Sequence, residues 1–103
     1  MAGTLDMLIL RALAGGERHG YAVAEFIERR SEGWLQVEEG ALYPALHRLE
    51  AGGWLAAAWG ESENRRRAKF YRLTAAGRKR LAGETERWAK MTGAIGRVLA
   101  AES

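Results

Sequence analysis

Apolar positions recur at helical spacing through the first half of the chain. Leu5, Leu8, Ile9, Ala12 and Leu13 follow the i, i+3, i+4, i+7, i+8 pattern of a buried helical face. Thr4 reads as the N-cap of this first helix, Asp6 suits its positive start, and Gly15 and Gly16 end it. A second helix is predicted over about 20–31, with Val23, Phe26, Ile27 and Arg30 along one side and Gly33 as its stop. A third is predicted over about 40–51. Leu42, Ala45, Leu46 and Leu49 form its inner face, and Tyr43, His47 and Glu50 fall on the other side. Pro44 stands near the start of this helix, where a missing N–H costs least, and Gly52-Gly53 end it.

The period then changes. Residues 54–59 make a short β-prone run weakened by three alanines, and 70–73 alternate with period two. The polar, turn-like stretch 60–68 lies between them, so strand, basic turn and strand form a hairpin. Thr74 caps a last helix running from 75 towards 101. The reading is an α+β chain, mostly α, in winged helix-turn-helix order: three helices, a two-stranded wing and a long C-terminal helix. It divides into a DNA-binding unit over 1–74 and a dimerisation helix over 75–103. In that order the third helix enters the major groove and the wing lies along the phosphates.

Charge sharpens this picture. The 103 residues carry a net charge of only +3, but its distribution is uneven. Residues 1–50 hold five Arg and eight acidic groups, residues 81–103 balance, and 61–80 hold eight Arg or Lys against Glu61 and Glu63. One short segment therefore contains the whole basic excess, as an electrostatic footprint on a polyanion requires. Asn64, Arg65, Arg66, Arg67 and Lys69 are the wing candidates, since guanidinium groups grip phosphate in bidentate fashion. On the third helix Gly40, Ala41, Tyr43, Pro44, His47 and Arg48 are the candidates for the DNA-facing side. Glu38 and Glu39 oppose simple attraction and are read as helix caps or as partners that hold an Arg in place.

Other chemistry is thin. No Cys is present, and the only histidines are His19 and His47, so no metal site and no cofactor are expected. His19 reads as structural, bonding a neighbouring loop. No Ser–His–Asp constellation, phosphate loop or pocketed carboxylate pair stands out, so an enzyme is not expected. The start MAGTLDMLIL lacks a basic leader, and no run approaches the ~18 apolar residues of a membrane span. A cytoplasmic protein without membrane contact is expected. Trp34, Trp54 and Trp59 read as packing residues, with Leu55, Tyr71 and Leu73 joining Trp54 beneath the wing.

Trp88 is a different case. Leu81, Trp88 and Ile95 are seven apart, with Met91 and Val98 between, which makes a narrow stripe suited to another helix. Gly83, Gly93 and Gly96 weaken this helix by about 1 kcal/mol each relative to Ala, so outside support is expected. A second copy of the chain is the natural source, with the first helix of the same chain covering part of the stripe.

Four segments resemble regulators of the PadR family: GTLDMLILRAL over 3–13, HGYAVAEFI over 19–27, EEGALYPALHRLEAGGWL over 38–55 and FYRLTAAGRKRL over 70–81. The Gly-x-Leu-Tyr-Pro…Arg-Leu-Glu…Gly stretch is the most specific, and the single C-terminal helix is similar to the small subgroup of the family. The resemblance implies a homodimeric repressor on inverted-repeat double-stranded DNA, joined through the last helix and released by a small aromatic effector. For such an effector Trp88 and Met91 are the candidate lining. Family members often carry Ser or Thr where this chain has Ala41, so that hydroxyl is absent here. Two other readings remain open: a winged-helix protein-interaction module that does not bind DNA, and a regulator of another winged-helix family.

Overall fold

In the computed structural model, which describes residues 2–102, four helices surround one core and a three-stranded sheet closes it. Helix α1 spans Ala2–Ala12, strand β1 Arg18–His19, helix α2 Gly20–Arg30 and helix α3 Glu39–Ala51. Strands β2 (Leu55–Glu61) and β3 (Arg67–Leu73) follow, and helix α4 covers Ala75–Leu99. The winged helix-turn-helix order is therefore present, and the apolar positions predicted for α1, α2 and α3 are buried or partly buried. Arg30, predicted on the same side of α2, is instead exposed, and Leu10, not predicted, joins the core. Ile9, Leu10, Ala12 and Leu13 of the first segment meet Val23 and Ile27 of α2 and Leu42, Ala45, Leu46 and Leu49 of α3. Leu55, Tyr71 and Leu73 complete this core from the sheet.

Several expectations need correction. Thr4 lies inside α1 and is not its N-cap, because the helix already begins at Ala2. His19, expected to bond a loop, is instead the N-cap of α2: its Nδ1 accepts the Ala22 amide at 3.2 Å. The hairpin is longer than its alternation suggests, with β2 and β3 paired from Leu55↔Leu73 out to Glu61↔Arg67. The three alanines do not break the strand. Ala57 lies opposite Tyr71 on the core face, while Ala56, Ala58 and Gly60 line the other face, where a Cβ on Gly60 would come within 3.1 Å of Phe70.

The sheet also has a third strand. β1 pairs antiparallel with β3 through Arg18↔Tyr71 and His19↔Phe70, giving the order β1-β3-β2. Arg18 ties this strand to α1, since its Nε donates to the Ala12 carbonyl at 2.8 Å while its guanidinium rests 4.9 Å over Phe26. Of the three tryptophans expected to pack, only Trp54 does; Trp34 is 89% and Trp59 61% exposed.

Two turns fix the orientation of α3 against the sheet. Gly53 takes φ +84°, the Gly53 amide donates to the Glu50 carbonyl and the Trp54 amide to the Leu49 carbonyl. This is the paired-bond helix end that a left-handed residue allows, and it sends the chain straight into β2. Thr74 then caps α4 by accepting the Gly77 amide at 3.1 Å, and its hydroxyl donates to the Gly53 carbonyl at 2.7 Å. Helix α4 lies against α1 at its start, where Leu81 packs on the core, and outgrows it thereafter. Trp88, Met91, Ile95, Val98 and Leu99 are all exposed in the single chain. Among the described residues, no helix is long and apolar enough to cross a membrane.

Candidate nucleic-acid interface

Helix α3 presents its polar side because its apolar side is fully used. With Leu42, Ala45, Leu46 and Leu49 buried, the 3.6-residue period leaves Gly40, Ala41, Tyr43, Pro44, His47 and Arg48 exposed. Glu38 occupies the N-cap position with extended backbone but makes no side-chain cap bond; its carbonyl accepts the Ala41 and Leu42 amides. Pro44 stands one turn inside the helix, where it removes the amide that would donate to the Gly40 carbonyl. The Tyr43 ring is half exposed and lies against the start of α2. A Cβ on Gly20 would fall 2.8 Å from its Cε1, so only glycine leaves the ring this seat.

Arg48 does not hang free. Its Nη2 donates to Asp6 Oδ1 at 3.1 Å, while 54% of the side chain stays exposed. The partner that holds an Arg in place is thus Asp6 of α1, in place of Glu38 or Glu39. By sequence Asp6 suits only a helix start, and no local pattern ties it to a residue 42 positions away.

The wing tip is built by two backbone bonds. The Ser62 amide donates to the Arg66 carbonyl at 2.8 Å and the Arg65 amide to the Ser62 carbonyl at 2.9 Å. Arg65 takes φ +56°, a conformation most side chains avoid. Asn64, Arg65, Arg66 and Arg67 are exposed. Arg67 lies 4.9 Å over the Trp59 ring, which keeps an arginine and an indole together on the outer half of the hairpin. Lys69 differs from these. Its Nζ meets Glu50 Oε1 of α3 at 2.8 Å and lies 5.5 Å over the Tyr71 ring. The hydrogen bond to Glu50 raises the Lys69 pKa, and burial raises that of Tyr71.

The geometry brings one member of the helix cluster, Tyr43, together with Arg66, Arg67 and Lys69 of the wing cluster, and leaves Gly40, Ala41, Pro44, His47, Arg48, Asn64 and Arg65 outside their groove. Directly opposed residues of an antiparallel pair share a face, so the hairpin face that starts as core at Leu55 and Leu73 continues outward as Trp59 and Lys69. Between this face and the helices runs an open groove of about 460 Å³, lined by His19, Tyr21, Tyr43, Trp59, Arg66 and Lys69 among others. Aromatic rings and cations thus share one concavity, with His19, Tyr21 and Tyr43 on the helix side and Trp59, Arg66, Arg67 and Lys69 on the wing side. His19 and Tyr21 belong to it although the sequence pattern points to neither. A period-two or 3.6 pattern says nothing about residues at the junction between a strand and a helix.

The predicted stripe on α4 is divided. Leu81 packs against the core, whereas Trp88, Met91, Ile95 and Val98 remain open. A second groove of about 360 Å³ runs between α1 and α4, lined by Gly3, Thr4, Met7, Glu84, Arg87, Trp88 and Met91. Among the described residues, no cluster of His, Cys, Asp or Glu could hold a metal ion.

Comparison with known proteins gives a consistent result. The model of the Transcriptional regulator PadR-like family matches residues 9–83. A transcriptional regulator of Mycobacterium tuberculosis is 40% identical over 70 residues, which span 68% of this chain and 62% of that protein. A PadR family transcriptional regulator from Eggerthella lenta superposes with a TM-score of 0.81 at 30% identity, over 97% of this chain and 85% of that one. A transcriptional regulator from Clostridium thermocellum does so with a TM-score of 0.82 at 29% identity, over 92% of each chain.

Proposed function

The chain belongs to the PadR-like family of transcriptional regulators, and from that premise we propose that it is a homodimeric repressor of an inverted-repeat operator. Helix α3 supplies sequence readout through Tyr43 and Arg48, with Gly40, Ala41 and Pro44 allowing close approach and His47 beside them. Asn64, Arg65, Arg66 and Arg67 of the wing supply phosphate affinity. Residues 1–74 act as the DNA-binding unit and 75–103 as the dimerisation helix, which sets the spacing of the two copies of α3 and so the half-site spacing. The protein works in the cytoplasm.

One observation carries this reading: Tyr43 of α3 lines a common groove with Trp59, Arg66, Arg67 and Lys69 of the wing, while the apolar stripe of the long helix stays uncovered in a single chain. A charged turn on an interaction module has no need to converge with an outward-facing helix. The exposed stripe matches the need for a second copy. The Trp88 and Met91 groove between α1 and α4 is the candidate seat for a flat aromatic effector that shifts α4 and thereby the spacing.

Selection of bound sequences from random duplex DNA tests the proposal. Enrichment of an inverted repeat with one fixed half-site spacing is expected. Failure to retain any duplex at low salt would point to the protein-interaction module instead.

A further inference from the structure

Asp6 lies on α1, apart from the third helix and the wing to which the DNA contacts are assigned, yet it receives the side chains of two other helices. Its Oδ1 accepts from Arg48 Nη2 of α3 at 3.1 Å, and its Oδ2 accepts from Arg80 Nη2 of α4 at 3.5 Å. The carboxylate is well buried, with 12% of its side chain exposed. The two arginines are not equivalent. Arg80 is 23% exposed, stacks 4.3 Å over the Trp54 ring, and donates its Nε to Glu84 Oε1 at 2.9 Å. It is held on three sides. Arg48 commits one nitrogen to Asp6 and is otherwise half exposed on the polar side of α3, which leaves the rest of its guanidinium donors for a ligand.

We infer that Asp6 is a positioning residue for DNA recognition: it fixes the guanidinium of Arg48 against Arg80, so that a readout side chain of α3 is registered to the long helix α4. A free arginine on a helix surface samples many rotamers and loses that freedom on binding, whereas one pinned at Nη2 reaches the DNA already ordered. A buried carboxylate is also a sensitive junction. If α4 shifts, Arg80 moves with it, and the balance of the Asp6 carboxylate between its two partners changes at Arg48. The inference rests on the DNA-binding reading above, and it adds a residue that neither the third helix nor the wing contains.

The test is a set of mutant cycles read as the ratio of operator to random-duplex affinity. Asp6→Asn is expected to lower that ratio by about tenfold, the discrimination that one well-placed side chain supplies. In an Arg48→Ala background the same change should add no more than about twofold, because the residue it positions is gone. Arg66→Ala, in the wing, should instead weaken both duplexes alike and leave the effect of Asp6→Asn on the ratio at its full size. Arg80→Met leaves the Asp6–Arg48 pair in place and should likewise lose its effect on the ratio in the Arg48→Ala background. It carries the test if Asp6→Asn does not fold, which thermal unfolding of each variant reports. Effects that multiply with Arg48→Ala in both cycles overturn the role of Asp6, since a purely structural residue would act independently. A wild type that prefers no duplex sequence overturns the DNA reading itself.

Discussion

Lys69 and Glu50 meet at 2.8 Å across the groove between the wing and helix α3. The ion pair links strand β3 to the last turn of α3 and neutralises the one wing cation nearest the core. It divides the basic segment into two kinds of charge. Arg65 and Arg66 at the tip are exposed and unengaged by acidic groups among the described residues, whereas Lys69 already has a carboxylate. Arg66→Ala is therefore expected to reduce the slope of log K against log salt by about 1.8 for the dimer, about 0.9 for each of the two phosphates left without a cation. Lys69→Ala should change that slope by clearly less. Binding titrations of both variants between low and moderate salt check the ordering, and equal slopes would contradict it.

The same pair sets a prediction for alkaline pH. The Glu50 hydrogen bond holds the Lys69 pKa above its ordinary 10.5, and burial holds that of Tyr71 above 10.0. Both groups bind their protons more tightly folded than unfolded. Their stabilisation is complete below the unfolded pKa and is lost as pH climbs through the folded one. The Tm is expected to fall as pH rises above about 10. Tyr71→Phe, which has no proton to lose, should make that fall shallower, and Glu50→Gln should do so through Lys69. An alkaline slope identical in Tyr71→Phe and wild type would remove Tyr71 from the explanation.

Gly77 sits in the first turn of α4, beneath the β2 end of the hairpin. A Cβ there would stand 2.1 Å from the Trp54 carbonyl oxygen, which is backbone and accepts the Thr74 amide. Neither partner can swing aside as a side-chain tip would. Gly77→Ala should destabilise by about 1–3 kcal/mol despite the better helix propensity of alanine. Gly93 is the control. Its Cβ would meet only the mobile end of Arg97 at 3.5 Å, so Gly93→Ala should stabilise by about 1 kcal/mol. Chemical denaturation of the two variants should show opposite signs.

What can be read from the chain follows from how each interaction is encoded. The faces of α1, α2 and α3 are legible because burial repeats with the helical period, and Leu42, Leu46 and Leu49 all land in the core. The basic hairpin is legible because its arginines are adjacent in sequence. Strand β1 is not, since two residues carry no period and Arg18 and His19 are extended only because β3 offers them a partner. Trp34 and Trp59 mislead because size alone argues for burial; Trp59 lies on the outer half of the hairpin, beyond the reach of the core, where Arg67 covers it. The helical period puts Arg48 on the exposed face of α3, but its partner Asp6 lies 42 residues away, and only the packing of α1 on α3 joins them.

The last prediction concerns assembly. In the single chain Trp88 is 47% exposed, and Met91, Ile95 and Val98 are more than half exposed along the same side of α4. Leaving such a stripe in water forgoes the favourable burial of several large apolar side chains, each worth about 1.5–3 kcal/mol when fully covered. The glycines of α4 add to the case, since Gly83, Gly93 and Gly96 disfavour a helix that nothing supports. A self-complementary stripe on one copy meets the same stripe on another across a two-fold axis, so a single substitution acts twice. Trp88→Lys would place two ammonium groups in that seam without disturbing the core, because Trp88 is not among the core residues. The expected result is a folded monomer that retains the wild-type helical content but binds a two-half-site operator far more weakly. Light scattering and circular dichroism on the same sample separate this from unfolding. Binding to a single half-site should survive, because each chain keeps its α3 and its wing. A Trp88→Lys protein that still scatters as a dimer would refute assembly through α4. A monomer that holds the full operator as tightly as wild type would show that assembly is not what joins the two half-sites.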